Sequence, residues 1–130
     1  MIVDASAIIA ILRSEREAAA MADALDRAEI CRMSAVTYVE AAVVIDSNKN
    51  PVLSRRLDDL LRDAEIQVES VTAKQAEIAR YAYRDFGKAR HKAGLNLGDC
   101  FAYALAKEIG EPLLFKGEDF GRTDIEVAEY

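Results

Sequence analysis

Four acids in this sequence occupy positions where acids can do chemistry: Asp4, Glu40, Asp99 and Asp119. Asp4 closes the apolar run Ile2-Val3, and Asp119 follows Leu113-Leu114-Phe115 across a Lys-Gly-Glu turn. Asp99 falls in the first turn of a helix expected over Leu97 to Ile109. Each lies where a strand end meets the next segment, the edge at which open parallel sheets present ligands. Glu40 differs. In a helix expected over Val36 to Ser47, it shares a face with Val36, Val39, Val43 and Val44. A glutamate amid an apolar stripe costs several kcal/mol unless it meets a cation, a proton or a partner. That helix carries no Lys or Arg.

Singly, these acids have ordinary explanations. Asp4 and Asp119 suit turns, Asp99 suits a helix amino terminus, and Glu40 suits a side chain reaching solvent at a helix end. Together they imply a common cation, because like charges at one point raise one another's pKa unless neutralised. Oxygen donors without a paired His or Cys favour Mg²⁺ or Mn²⁺ over zinc or copper. Such ions lower the pKa of water and clamp the oxygens of an in-line phosphoryl displacement, so phosphodiester hydrolysis is the expected chemistry.

The elements that must position these acids alternate. Short strands are expected at Ile2–Asp4, Ile30–Ser34, Ile66–Val71 and Leu113–Phe115, with a further edge strand at Ile125–Val127. Helices are expected over Ala5–Leu12, about Glu15–Ala28, Val36–Ser47 capped by Ser34, Val52–Ala64 opened by Pro51, Thr72 to Gly87, and Leu97–Ile109 closed by Gly110. Strands alternating with helices imply a parallel sheet covered on both faces, a three-layer α/β/α sandwich.

The totals bound the function. A chain of 130 residues, 52% hydrophobic and 31% charged, suits one compact domain over 1–130 that needs no disulfide or zinc staple. Cys31 and Cys100 stand alone, and two cysteines with one histidine cannot close a tetrahedral zinc shell. The Met1-Ile2-Val3-Asp4 start lacks the features of a secretory leader and no apolar stretch reaches membrane length, so a cytoplasmic protein is expected. The net charge of −6 excludes a chain that coats nucleic acid by bulk electrostatics. Positive charge must be supplied locally, or by metal.

Four segments carry a resemblance: Met1-Ile2-Val3-Asp4-Ala5-Ser6-Ala7-Ile8, Ser34-Ala35-Val36-Thr37-Tyr38-Val39-Glu40, Gly94-Leu95-Asn96-Leu97-Gly98-Asp99-Cys100-Phe101-Ala102-Tyr103 and Pro112-Leu113-Leu114-Phe115-Lys116-Gly117-Glu118-Asp119-Phe120. In this order and spacing the chain resembles PIN-domain ribonucleases, specifically VapC-type toxins of type II toxin–antitoxin modules. The resemblance implies Asp4 and Asp99 as principal metal ligands, with Glu40 and Asp119 as the remaining catalytic acids. It implies Ser6 as a hydroxyl hydrogen-bonding within the site and Asp124 as an outer acid. It further implies homodimerisation, a VapB-type antitoxin that blocks the acidic groove, and structured RNA, particularly tRNA, as substrate.

Local positive charge is concentrated in Arg84 to Lys92, directly before the Asp99 helix, so Lys88, Arg90, His91 and Lys92 are expected to steer an RNA backbone. A solvated loop is the plainer alternative. His91 is expected at the surface or on RNA rather than in catalysis, and Cys100 as a buried apolar residue. Tyr81, Tyr83 and Tyr103 are expected in the core or a dimer interface more than on bases. An aspartyl-nucleophile phosphatase would want a second Asp where Ser6 stands. A DNA-directed nuclease would share the metal site, and a non-catalytic groove binding a basic antitoxin peptide would keep the acidity without the chemistry.

Overall fold

The computed structural model describes residues 1–130. Four short strands, β1 (Ile2–Val3), β2 (Arg32–Ser34), β3 (Gln67–Glu69) and β4 (Leu113–Leu114), form one sheet in the order β3-β2-β1-β4. All three pairings are parallel, with Ile2 opposite both Arg32 and Leu113 and Met33 opposite Val68. The helices are α1 (Ala5–Leu12), α2 (Ala18–Arg27), α3 (Ala35–Asp46), α4 (Pro51–Asp63), α5 (Ala73–Phe86) and α6 (Leu97–Ile109).

Alternation along the strands builds the three layers. Val3, Met33 and Leu114 bury into a core with α1–α4, whereas Ile2 and Leu113 bury into a second core with α5 and α6. Each fully buried aliphatic side chain contributes about 1.5–3 kcal/mol, so the two central strands are pinned from both faces. The expected sandwich is the observed fold. No helix is long and apolar enough to cross a membrane.

The helices begin where their caps place them. Asp4, Ser34, Asn50 and Thr72 each accept a backbone N–H in the first turn of the helix that follows. Gly110 ends α6 at φ 74°, a left-handed conformation that glycine adopts without a Cβ penalty.

Three expectations change. Helix α2 starts at Ala18, because Ser14 takes φ 53° and Glu15–Glu17 form a turn. The alternating run Ile66–Val71 yields only β3, an edge strand with Gln67 and Val68 exposed rather than a half-buried strand of six. Ile125–Val127 gives a single bridge, Val127 to Leu113, held by Leu113 N–H to Glu126 O (2.9 Å) and Ala128 N–H to Leu113 O (3.0 Å).

Candidate active site

Asp4 leaves β1 and caps α1 with φ −84° and ψ 157°. Its Oδ2 accepts from Ser6 N–H (2.9 Å) and from Ser6 Oγ–H (2.6 Å). Ser6 Oγ in turn accepts from Lys116 N–H (3.0 Å), tying the end of β1 to the chain leaving β4. Asp4 is only 3% exposed, and its Oδ1 is buried without a partner. Burial raises its pKa, and the Ser6 hydrogen bonds oppose that rise.

Asp99 is set by a reciprocal cap at the start of α6. Asn96 Oδ1 accepts from Asp99 N–H and Asp99 Oδ2 accepts from Asn96 N–H, both at 2.8 Å. One carboxylate oxygen is thereby fixed and the other is left free of that cap. Burial, followed by the charges of Asp4, Glu40 and Asp119, pushes Asp99 up to about 7, with the Asn96 N–H pulling the other way. These charges place the four acids in one electrostatic neighbourhood.

Glu40 reaches the same place by a different route from the apolar stripe expected of it. The inward face of α3 is Thr37, Ala41 and Ile45, one turn apart, whereas Val39 and Val43 are 55% and 62% exposed. Glu40 is half-buried because it lies against the first turn of α6. A Cβ added at Gly98 would stand 2.3 Å from Glu40 Oε2 and 2.6 Å from Cδ. Glycine lets the carboxylate sit there; a larger residue would push it away. Glu40 Oε2 is buried without a partner, and burial followed by the charge of Asp4 raises the group, while the Asn96 side chain lowers it.

Asp119 is exposed and opens the short 3₁₀ turn Phe120–Arg122 without a capping hydrogen bond of its own. It joins the group through its field on Asp99. Two orphaned buried oxygens, on Asp4 and Glu40, and carboxyls that raise one another are what a divalent cation would relieve. No three of the chain's His, Cys, Asp or Glu side chains close into a ready cage. An open, oxygen-only set of this kind fits Mg²⁺ or Mn²⁺, which Mg²⁺ sites commonly complete with water and substrate oxygens.

Asp124 has other partners: Tyr103 Oη–H donates to it at 2.6 Å and Lys107 Nζ at 3.0 Å. The Tyr103 hydrogen bond holds its pKa down, and it is absent from the charges acting on Asp99. Lys88, Arg90, His91 and Lys92 are all exposed on the loop between α5 and α6. His91 Nδ1 accepts from Ala93 N–H (3.0 Å), and its ring stands edge-on to Phe86 at 5.3 Å. Cys100 is fully buried, and burial followed by the Asp99 charge pushes its thiol up to about 11, which removes it as a nucleophile. Tyr103 is core, whereas Tyr81 and Tyr83 are 41% and 37% exposed in the single chain.

Asn96 and Gly98 are the positioning residues that motif reasoning passed over. Both leave a signal in the sequence: Asn-x-x-Asp at a helix start is a capping pattern, and a glycine inside the first helical turn costs stability unless something approaches closely.

Comparisons with known proteins bear on the family and the fold. The family model for the PIN domain matches residues 1–126. Ribonuclease VapC28 of Mycobacterium tuberculosis is 57% identical over 129 residues, covering 98% of this chain and 97% of the relative. The crystal structure of Mycobacterium tuberculosis VapC20, described as a sarcin–ricin loop cleaving toxin, superposes with a TM-score of 0.76 at 15% identity, covering 95% of each chain. A chain of a toxin–antitoxin complex from Klebsiella pneumoniae gives a TM-score of 0.74 at 18% identity, covering 99% of this chain and 97% of that one.

Proposed function

The chain belongs to the PIN-domain family, within its VapC ribonucleases, and from that premise we propose a toxin endoribonuclease that hydrolyses RNA through Mg²⁺ or Mn²⁺ held by Asp4, Glu40, Asp99 and Asp119. The observation that carries the metal is the pair of buried, unpartnered oxygens, Asp4 Oδ1 and Glu40 Oε2. Glu17, Thr37 and Gln75 also carry an unpartnered buried oxygen, but Asp4 and Glu40 are the two whose charges act together on Asp99, the repulsion a cation would relieve.

Asp4 and Asp99 are the principal ligands in this proposal. Their second oxygens are already fixed by Ser6 and Asn96, so each presents one oxygen in a set direction. When bound, the cation supplies a water of lowered pKa and neutralises charge developing on the phosphate oxygens. Glu40 orients the attacking water and accepts its proton on its carboxylate. Asp119, at the open side, completes the acidic set. Ser6 fixes Asp4 without touching substrate.

Lys88, Arg90, His91 and Lys92 guide the RNA backbone toward the rim. The substrate is structured RNA, with tRNA the first to test beside a ribosomal RNA loop. The partner is a VapB-type antitoxin whose basic segment occupies the acidic groove, an arginine standing in for the cation. The working unit is a homodimer in the cytoplasm.

The test is cleavage of end-labelled tRNA and ribosomal RNA fragments by chain freed of antitoxin, with Mg²⁺ or Mn²⁺ and with chelator. Asp4→Asn keeps the α1 cap and should lower cleavage by about 100-fold or more, since even outer-shell changes at metal sites cost 10–100-fold. No cleavage by the unaltered chain with any divalent cation would leave a peptide-binding groove. Preference for DNA would make it a DNA nuclease.

A further inference from the structure

Positive charge gathers at a place the four acids do not use. Arg80, Tyr83 and Arg84 on the exposed face of α5, with Arg90 from the following loop, line a hollow of about 260 Å³. The Tyr81 ring lies 4.8 Å from the Arg84 guanidinium and 5.9 Å from that of Arg80, and steadies both against the helix. Arg84 also pairs with Asp85 at 2.8 Å, but neither Arg80 nor Arg90 takes part in any ion pair of the protein. Three guanidiniums around one hollow, with a single acid among them, repel one another in a chain whose net charge is −6. An anion would relieve that repulsion, and the planar arginine fork matches phosphate oxygens in pairs.

The hollow also lies along the route to the acids. Lys88 N–H donates to Leu95 O (2.9 Å) and Leu95 N–H to Phe86 O (3.0 Å), so the loop folds back and sets the start of α6 beside the last turns of α5. Arg80 and Tyr83 line a second, apolar hollow together with Leu97 and Phe101. The next residue, Gly98, lines a third beside Glu40. The arginine hollow and the apolar one share Arg80 and Tyr83, and the apolar one reaches the start of α6 at Leu97, next in sequence to the Gly98 that borders Glu40.

We propose that Arg80, Arg84 and Arg90, with Tyr83, bind a backbone phosphate of the RNA substrate away from the bond that is cut. This rests on the ribonuclease reading and names where that substrate is held. It explains how an acidic chain retains RNA: the positive charge is gathered locally on α5 and the loop that leads into α6.

The experiment compares two charge-matched double variants in the Asp4→Asn background, Arg80→Gln with Arg90→Gln, and Arg55→Gln with Arg56→Gln on the exposed side of α4. Binding of fluorescent tRNA is followed by anisotropy across a potassium chloride series, with thermal melts to confirm folding. Loss of Arg80 and Arg90 should weaken binding about 10-fold or more and lower the slope of log affinity against log salt by about 1–2, whereas the α4 pair should change little. Equal effects from the two variants would reduce the hollow to bulk charge and overturn the inference. Unchanged RNA binding with loss of antitoxin binding would assign it to an acidic peptide instead, and equally overturn it. A parallel cleavage assay keeps the two proposals apart. An unaltered chain that cuts no RNA defeats the ribonuclease reading, whereas one that cuts while the arginine variant binds normally defeats only the phosphate subsite.

Discussion

Gly98→Ala should make the protein no less stable and much less active. A Cβ at Gly98 would lie 2.3 Å from Glu40 Oε2, 2.6 Å from Cδ and 2.8 Å from Oε1, where ordinary contact begins at 3.4 Å. The carboxylate must therefore retreat by about 1 Å, and a misplacement of that size can cost about 100-fold in rate. The atoms that give way are the far end of a flexible side chain, not backbone, so the fold is not forced apart. Alanine in the first turn of α6 also gains helix propensity, up to about 1 kcal/mol over glycine. Thermal melts should show a Tm equal to or above that of the unaltered chain, while metal-dependent RNA cleavage falls about 100-fold. Shortening the acid, Glu40→Asp in the Gly98→Ala background, should recover part of the loss. Manganese titration of the same variants supplies a readout independent of turnover, with affinity falling in the single variant and recovering in the double. Full activity in Gly98→Ala, or a collapse of Tm, would refute the argument that the glycine exists to admit Glu40.

Two further outcomes follow from the same geometry. Asp99 in the folded, metal-free chain titrates near 7, above its ordinary 3.8, so between those values the fold holds a proton that the unfolded chain lacks. Stability from this group is therefore present on the acid side and lost as pH rises through 7. The metal-free Tm should be higher at pH 5.5 than at pH 8, saturating Mn²⁺ should remove that difference, and metal affinity should climb across the same window as protons leave. A Tm independent of pH in this range would sink the account. Tyr103→Phe removes the 2.6 Å hydrogen bond to Asp124 and should cost about 1 kcal/mol in denaturant unfolding, with cleavage within about twofold. A loss of cleavage beyond 10-fold would return Asp124 to the active site.

Much of this was legible in the residues. The alternation Ile2-Val3 and Leu113-Leu114 between helical segments specifies a sheet buried on both faces, and Asp4 and Asp99 could be placed at its rim from strand and helix ends alone. Ser34 and Thr72 announced their helices by side-chain chemistry. Glu40 was singled out, but on faulty grounds. Periodicity grouped it with four valines, of which Val39 and Val43 prove exposed and Val36 and Val44 only half-buried, because Thr37, Ala41 and Ile45 form the inward face of α3. Its actual confinement depends on Gly98, fifty-eight positions away by numbering and adjacent only in the fold. The Ile66–Val71 run shows the same limit: local alternation cannot say that a strand lies at an edge, where its neighbour is short.

The sheet order has a consequence for synthesis. β1 is made well before β4, yet one flank of it waits for that later strand: Ile2 N–H donates to Pro112 O (2.8 Å) and Asp4 N–H to Leu114 O (2.9 Å). Ser6 likewise waits for Lys116. A nascent or truncated chain lacking those residues leaves Asp4 on an unzipped strand and has no Asp119 at all. The topology thus makes the setting of Asp4 wait for residues 110 positions further along.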